Sequence, residues 1–437
     1  MDFLKKIFSP TILIISFLLL IYTFYKSEIY WKGNIRDYFL TYYLILLILI
    51  FFSVLTFFIN QKIKEYLIIV IISLIVSLYL FEGYLTLVEQ FSKEQLYEKQ
   101  TTNKWDRRTS FKIYKDLKKT NNEIVIKVVP ESYIFKKYSI FPLSGISNSK
   151  TINCNENGYY STYESDRYGF NNPNTEWDKK EIEYLLVGDS YVHGDCVNRP
   201  NDISSVLRSI SNKSVLNLGQ GGNGSLIEYA TLREYLSSNV KKVIWVYYEG
   251  NDLQNLVDEK KNDILDNYLN DLKFTQNLKF KQNEIDNLAI NLIKERERER
   301  EREKDKIFFN KFIKFIKFTN TRQSIFPQQA ITTPVTPLTD FKRIIQLTKK
   351  FVERNNSELF FVYLTGYDRY KLNFHNTDYS LIKNIVTELD IPFIDIHNEV
   401  FKKEQNPLKL FPFKMRGHYN IEGYKKVTET IYKLTKD

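Results

Sequence analysis

Cysteine and histidine are scarce here: the chain has two cysteines and four histidines in 437 residues. Two cysteines exclude a disulfide-rich scaffold and a four-cysteine zinc site. Four histidines leave little for a histidine-built metal centre, and they shorten the search for a catalytic base. Glycine and proline are also few, 15 and 11, which excludes collagen-like and low-complexity chains. A hydrophobic share of 43% and a charged share of 26% exclude global disorder. Yet the mean hydropathy is −0.34. A large apolar share with a negative mean requires apolar residues that are unevenly placed. Aromatics explain part of it, with 31 Tyr and 32 Phe.

The first 90 residues explain the rest. The stretches between Lys6 and Lys26, between Asp37 and Lys62, and between Glu65 and Glu82 carry no charge. Past Glu82 the third stretch stays apolar to Val88. A bilayer core needs about 20 apolar residues per helix, and only helices satisfy their own backbone there. Residues 1–90 therefore read as an uncleaved anchor of three transmembrane helices. A cleaved signal peptide is the rival for the first stretch, with Lys5 and Lys6 ahead of the apolar run. No A-x-A-like cleavage site follows, and two more apolar runs do. The net charge of +10 then fits an anionic membrane surface better than nucleic acid. Charges around the spans mildly oppose an external domain. With the N-terminus inside, Lys5, Lys6, Lys62 and Lys64 lie inside, and Lys26, Lys32, Arg36, Lys93 and Lys99 lie outside.

Residues 91–182 read as a polar connecting region, with a strand-like alternation at 124–129 and a turn-rich loop at 166–173. From 183 onward, short buried strands at 184–187, 215–218, 243–248, 359–364 and 392–396 alternate with helices at 202–210, 226–236, 341–354, 381–389 and 421–434. This alternation predicts an α/β fold: a parallel five-stranded sheet with helices on both faces. Residues 253–335 interrupt it and read as a charged helical insertion, a solvated spacer. Its run Glu295–Glu303 alternates in sign and is nearly neutral, which does not suit nucleic acid. Residues 332–337 read as the linker back.

Four features stand at the ends of these elements: Gly188-Asp189-Ser190, Asn217-Leu218-Gly219-Gln220-Gly221-Gly222, Gly250-Asn251-Asp252, and Gly417-His418 ahead of the last helix. Ligands of parallel α/β sheets bind at the carboxyl ends of the strands. Together and in this order, the four blocks resemble those of the SGNH/GDSL hydrolase superfamily, over about residues 183–434. The resemblance implies a flavodoxin-like sheet and no cofactor or metal. It implies Ser190 as nucleophile, His418 as general base, and an oxyanion hole from Ser190, Gly222 and Asn251. A serine hydroxyl needs such a base to become nucleophilic, and histidine titrates in the useful range.

One departure stands out. The family commonly carries an acid three residues before its histidine, and residue 415 is Met. A backbone carbonyl, a remote acid such as Asp252 or Asp395, or a two-residue dyad are the readings left open. Asp189 reads as a turn residue and accessory group rather than an acid. His193 could line the site or lie on the surface, and His375 and His397 read as structural or solvated. Gly219 to Gly224 also fits G-x-G-x-x-G, with Glu249 placed as a ribose-binding carboxylate, so a dinucleotide site is the rival. It leaves the other three blocks unexplained. Cys154 and Cys196 bracket the first block. They read as a disulfide stapling the loop near Asp166 to the site rim, which implies an oxidising compartment; two free thiols are the alternative.

The resulting expectation is a serine ester hydrolase or O-acyltransferase, acting on an acylated envelope glycan or lipid. It would sit in the cytoplasmic membrane with its catalytic domain on the external, periplasmic side. A non-catalytic glycan-binding module of an envelope complex is the alternative from another class.

Overall fold

The apolar stretches are helical in a computed structural model, which describes residues 2–31, 33, 36–302, 309, 312–325, 337–370, 374, 376 and 378–436. Helix α1 is Asp2–Phe24, continued by a wider turn to Tyr30; α2 is Arg36–Leu55 and α3 is Gln61–Thr101. Among the described residues, three helices are long and apolar enough to cross a membrane. The chain is a membrane protein. Within the bundle, Ser9 Oγ donates to the Thr56 carbonyl at 3.0 Å, which ties α1 to the end of α2. Such a bond replaces the water that a hydroxyl cannot find in lipid.

Two compact units divide the chain: Met1–Phe91 with Glu303–Thr336, and Ser92–Arg302 with Pro337–Asp437. The second unit begins with the end of α3 and α4 (Ser110–Lys118). Three short strands follow, β1 (Ile124–Ile126), β2 (Lys150–Ile152) and β3 (Thr162–Glu164). β1 pairs with β2 in parallel, and β2 with β3 antiparallel. The stretch read as a connection thus holds a sheet of its own. Its register places Thr151 opposite Tyr163 and makes residues 153–161 a hairpin loop.

The main sheet comprises β4 (Ile182–Gly188), β5 (Val215–Asn217), β6 (Val240–Tyr248), β7 (Glu358–Leu364) and β8 (Phe393–Asp395). All its pairings are parallel, in the order β5-β4-β6-β7-β8. This is the flavodoxin-like order, in which the connection reverses at the first strand. Strand residues alternate between two cores. Leu185, Val187, Val243, Trp245 and Phe361 face one, and Leu186, Ile244, Val246, Val362 and Leu364 face the other. Burial on both faces explains why these strands read as continuous apolar runs.

Between the strands run α5 (Ser190–His193), α6 (Ile203–Ser211) and α7 (Ser225–Tyr235). The insertion forms α8 (Asp252–Glu259), α9 (Asp263–Asn270) and α10 (Gln282–Arg302). Then come α11 (Leu338–Arg354), α12 (Tyr379–Glu388) and α13 (Ile421–Thr435). The insertion up to Arg302 is not the solvated spacer expected. It buries Leu256, Leu265, Tyr268, Ile285, Ala289 and Leu292 in the main core. These residues recur at helical spacing among Asn, Lys and Glu, so a polar average concealed an amphipathic face. The alternating run is helical as far as Arg302, and Glu295 pairs with Lys136 while Glu297 and Glu301 pair with Lys115. Of the linker expected at 332–337, only Pro337 lies among the described residues.

Candidate active site

Parallel pairing brings the carboxyl ends of all five strands to one edge. β4 is flanked by β5 and β6, so the loop bearing Gly222 and the turn bearing Asn251 lie on either side of Ser190. Gly188, paired with Val246, ends β4. A Cβ at Gly188 would lie 2.5 Å from Val192 Cγ2 and 2.6 Å from the Val246 carbonyl oxygen. Only glycine lets the chain turn so closely into α5. Asp189 caps that turn, its carboxylate accepting from the Tyr191 N–H at 2.9 Å. Ser190 is therefore the first residue of a sharp strand-to-helix turn.

His418 reaches it from the loop before α13. Ser190 Oγ and His418 Nε2 are 2.9 Å apart. On the other side of the ring, His418 Nδ1 lies 3.0 Å from Glu156 Oε1. The second Glu156 oxygen accepts from the His418 backbone N–H at 2.6 Å. One carboxylate thus fixes both the ring and the main chain of the histidine. Gly417 makes room for it, since a Cβ there would lie 2.6 Å from Glu156 Oε2. With Nδ1–H donated to the carboxylate, Nε2 is left to accept the serine proton, a polarity assigned from the partners. Burial opposes charge on the ring, but the hydrogen bond and charge of Glu156 outweigh it and raise the His418 pKa above 6.5.

Glu156 was not among the candidate residues. It stands at the tip of the β2–β3 hairpin, far in sequence from the four blocks. The loop is fastened from several sides. Cys154 and Cys196 form a disulfide. Asn157 Nδ2 donates to the Cys196 carbonyl at 2.9 Å, and Asn155 Nδ2 to that of Asp106 at 2.9 Å. The Asp106 N–H donates to the Gly158 carbonyl at 2.8 Å. Gly158 has φ +87°, and a Cβ there would lie 2.6 Å from the Tyr97 ring. The signal that could have found Glu156 was the cysteine pair itself. Once Cys154 is joined to Cys196, the residues beside it must approach the Ser190 turn.

The remote acids have other work. Asp252 Oδ2 accepts from the Tyr248 N–H at 2.7 Å and closes the turn from β6 to α8. Burial, then the charges of Glu228 and Asp189, push its pKa well up. Asp395 accepts from the Tyr379 hydroxyl at 2.5 Å and caps the short helix Ile396–Glu399. Asp189, buried, is pushed up to about 6, and its second oxygen lies 3.3 Å from Ser190 Oγ.

His193 is not on the surface. It is fully buried, edge-on to Tyr163 with ring centroids 4.7 Å apart. Burial and the charge of Lys127 push its pKa down to about 3, so it is a neutral core residue. His397 Nδ1 lies 3.0 Å from the Tyr370 hydroxyl; His375 lies outside the described residues. Among the described residues, the one group of three potential metal ligands is Glu156, Cys196 and His418. Cys196 is disulfide-bonded there, and the other two already pair with each other.

The loop after β5 packs against protein and is not an open phosphate cradle. A Cβ at Gly219 would lie 2.6 Å from the His193 backbone nitrogen. Gly222 has φ +75° and lies against Glu131, and its carbonyl accepts from Asn255 Nδ2 at 2.9 Å. The Glu249 side chain is 3% exposed and ion-paired with Arg369, and it accepts from the Gly366 N–H at 2.9 Å. It is thus not free to bind a ribose, which removes the dinucleotide reading. Behind the loop, Glu259 accepts from the N–H groups of Gly224 at 2.5 Å and Leu226 at 2.9 Å. That carboxylate fixes the start of α7 and, with Asn255, the path of Gly222. Asn251 stands at the N-cap position of α8 without a side-chain capping bond, and its Oδ1 is buried without a partner. Orienting the amide that way leaves Nδ2 as the group for a ligand.

No protein-family model and no curated protein matches the sequence. A hydroxyl, an imidazole and a carboxylate joined in series by two hydrogen bonds can move a proton off the hydroxyl oxygen.

Proposed function

We propose that the protein is a membrane-anchored serine esterase or O-acyltransferase of the SGNH type, with Ser190, His418 and Glu156 as its triad. The observation that carries this reading is the continuous bond chain from Ser190 Oγ through the His418 ring to Glu156. Ser190 Oγ attacks an ester carbonyl while its proton passes to His418 Nε2. Glu156 holds the ring tautomer and stabilises the imidazolium without taking the proton. The Ser190 and Gly222 N–H groups and the Asn251 amide receive the developing oxyanion. One such donor is worth about 2.7–4 kcal/mol of transition-state stabilisation. The tetrahedral intermediate then collapses. His418 protonates the leaving alkoxide, and the acyl group remains on Ser190. Water or a sugar hydroxyl, deprotonated by His418, attacks the acyl-enzyme and regenerates Ser190.

The membrane helices favour an acyl donor or acceptor at the bilayer, an acylated envelope glycan or a lipid. The disulfide favours an external, oxidising location for the second unit. A fluorophosphonate probe tests the reading on the full chain. Covalent labelling of the wild type, abolished in Ser190→Ala, is the expected result. A folded wild type that takes no label would refute it in favour of a binding module.

A further inference from the structure

Residues 309–325 belong to the insertion in sequence but to the membrane unit in space. Their sequence interleaves Phe309, Phe312, Ile313, Phe315, Ile316 and Phe318 with Lys311, Lys314 and Lys317. Residues 312–316 are helical, and a second short helix, Thr319–Ile325, follows a turn. Both dock on α3. The Tyr79 ring lies 4.3 Å from the Phe318 ring and 5.5 Å from the Phe315 ring, centroid to centroid. Asn320 Nδ2 donates to Thr86 Oγ1 at 2.9 Å.

The centre of the contact is Glu82. It interrupts the third apolar stretch, and it is 1% exposed. A carboxylate inside a membrane helix is costly unless it is paired. Its partners are the backbone N–H groups of Asn320, at 3.0 Å, and Thr321, at 2.8 Å. The returning segment thus satisfies the charged side chain that made the third span irregular in sequence.

The rest of the segment is left open. Phe309, Phe312 and Ile316 are 58%, 49% and 40% exposed. A solvated spacer has no reason to display large apolar side chains, nor to alternate them with lysines. We propose that Phe309 and residues 312–325 form a fourth membrane-contacting element, lying in the bilayer interface against α3. Phe309, Phe312 and Ile316 enter the acyl region, and Lys314, Lys317 and Arg322 meet anionic headgroups. This is the composition of an interfacial amphipathic helix. The occupant is lipid because the segment packs on α3, a helix long and apolar enough to cross a membrane, whose Leu74 and Leu80 are 57% and 71% exposed.

Because both native cysteines are in the disulfide, a single new cysteine takes a spin label uniquely. Full-length Phe312→Cys and Ile316→Cys, labelled and reconstituted in mixed phosphatidylcholine and phosphatidylglycerol vesicles, would be tested for collision with oxygen and with a water-soluble nickel chelate. Leu74→Cys serves as the lipid reference and Phe280→Cys, 90% exposed in the other unit, as the aqueous one. All four are exposed positions, so folding is not at stake. The expected oxygen-to-nickel ratio at 312 and 316 matches that at 74 and exceeds that at 280 several-fold. A ratio matching 280 overturns the proposal. Low collision with both reagents overturns it too, in favour of a second copy of the chain. Lys314→Glu with Lys317→Glu should raise nickel access at 312 several-fold in the anionic vesicles and not in pure phosphatidylcholine; equal response in both would remove the headgroup part.

Discussion

The two halves of the candidate site are built by different means. Ser190, Gly222 and Asn251 follow three adjoining strands of the parallel sheet, held by ladder bonds and by cores on both faces. Glu156 sits on a hairpin loop of another sheet, held by one disulfide and a few side-chain bonds. The sheet half cannot shift without disturbing the core. The hairpin half can lose its hold while the sheet stays folded. Stability and catalysis should therefore separate: damage to the first half costs both, and damage to the second costs mainly rate.

The largest effect is expected from Gly188→Ala. The new Cβ meets the Val246 carbonyl on the paired strand, which cannot move without breaking the β4–β6 register. Overpacking of this kind costs about 1–3 kcal/mol or more. A clear fall in Tm together with lost probe labelling is expected. Lost labelling at an unchanged Tm would contradict the rigid picture of the sheet half.

Glu156→Gln comes next and should behave oppositely, with Tm nearly unchanged and kcat/KM lower by up to about 10⁴-fold. Its pH profile is diagnostic. In the proposed mechanism His418 acts as base only when neutral, and Glu156 holds its pKa above 6.5 against burial. The acid limb of wild-type activity should accordingly have its midpoint above 6.5. Removing the carboxylate takes away the largest of the effects that oppose burial, so the midpoint should move to lower pH. A midpoint that stays in place would show that Glu156 does not face the ring in solution.

This contrast also explains what the sequence made legible. Strands such as 184–187 and 243–248 announce themselves because burial on both faces demands unbroken apolar runs. Ser190, Asn251 and His418 were legible because each follows or precedes such an element within a recognisable block. Glu156 had no such marker: it lies among Asn153, Asn155 and Asn157, in a loop whose strands are three residues each. Its placement depends on a contact between distant segments, which periodicity cannot register. The same limit hid the insertion's packing, and left His193 undecided when Tyr163 and the core enclose it.

The smallest effect, and the sharpest test of the comparison, is expected from removing the disulfide by Cys154→Ser with Cys196→Ser. The hairpin keeps its bonds from Asn157 to the Cys196 carbonyl and from Asp106 to that of Gly158. Glu156 should then sample positions away from His418 without leaving it for good. The expected rate loss is smaller than that of Glu156→Gln, with a partial shift of the acid limb toward lower pH. The decisive measurement combines the changes in a thermodynamic cycle. If the disulfide acts on the rate through Glu156, removing it from Glu156→Gln should cost no further activity. Additive losses would mean that the disulfide shapes the Ser190 turn directly, and that the hairpin and the sheet edge are one structure rather than two.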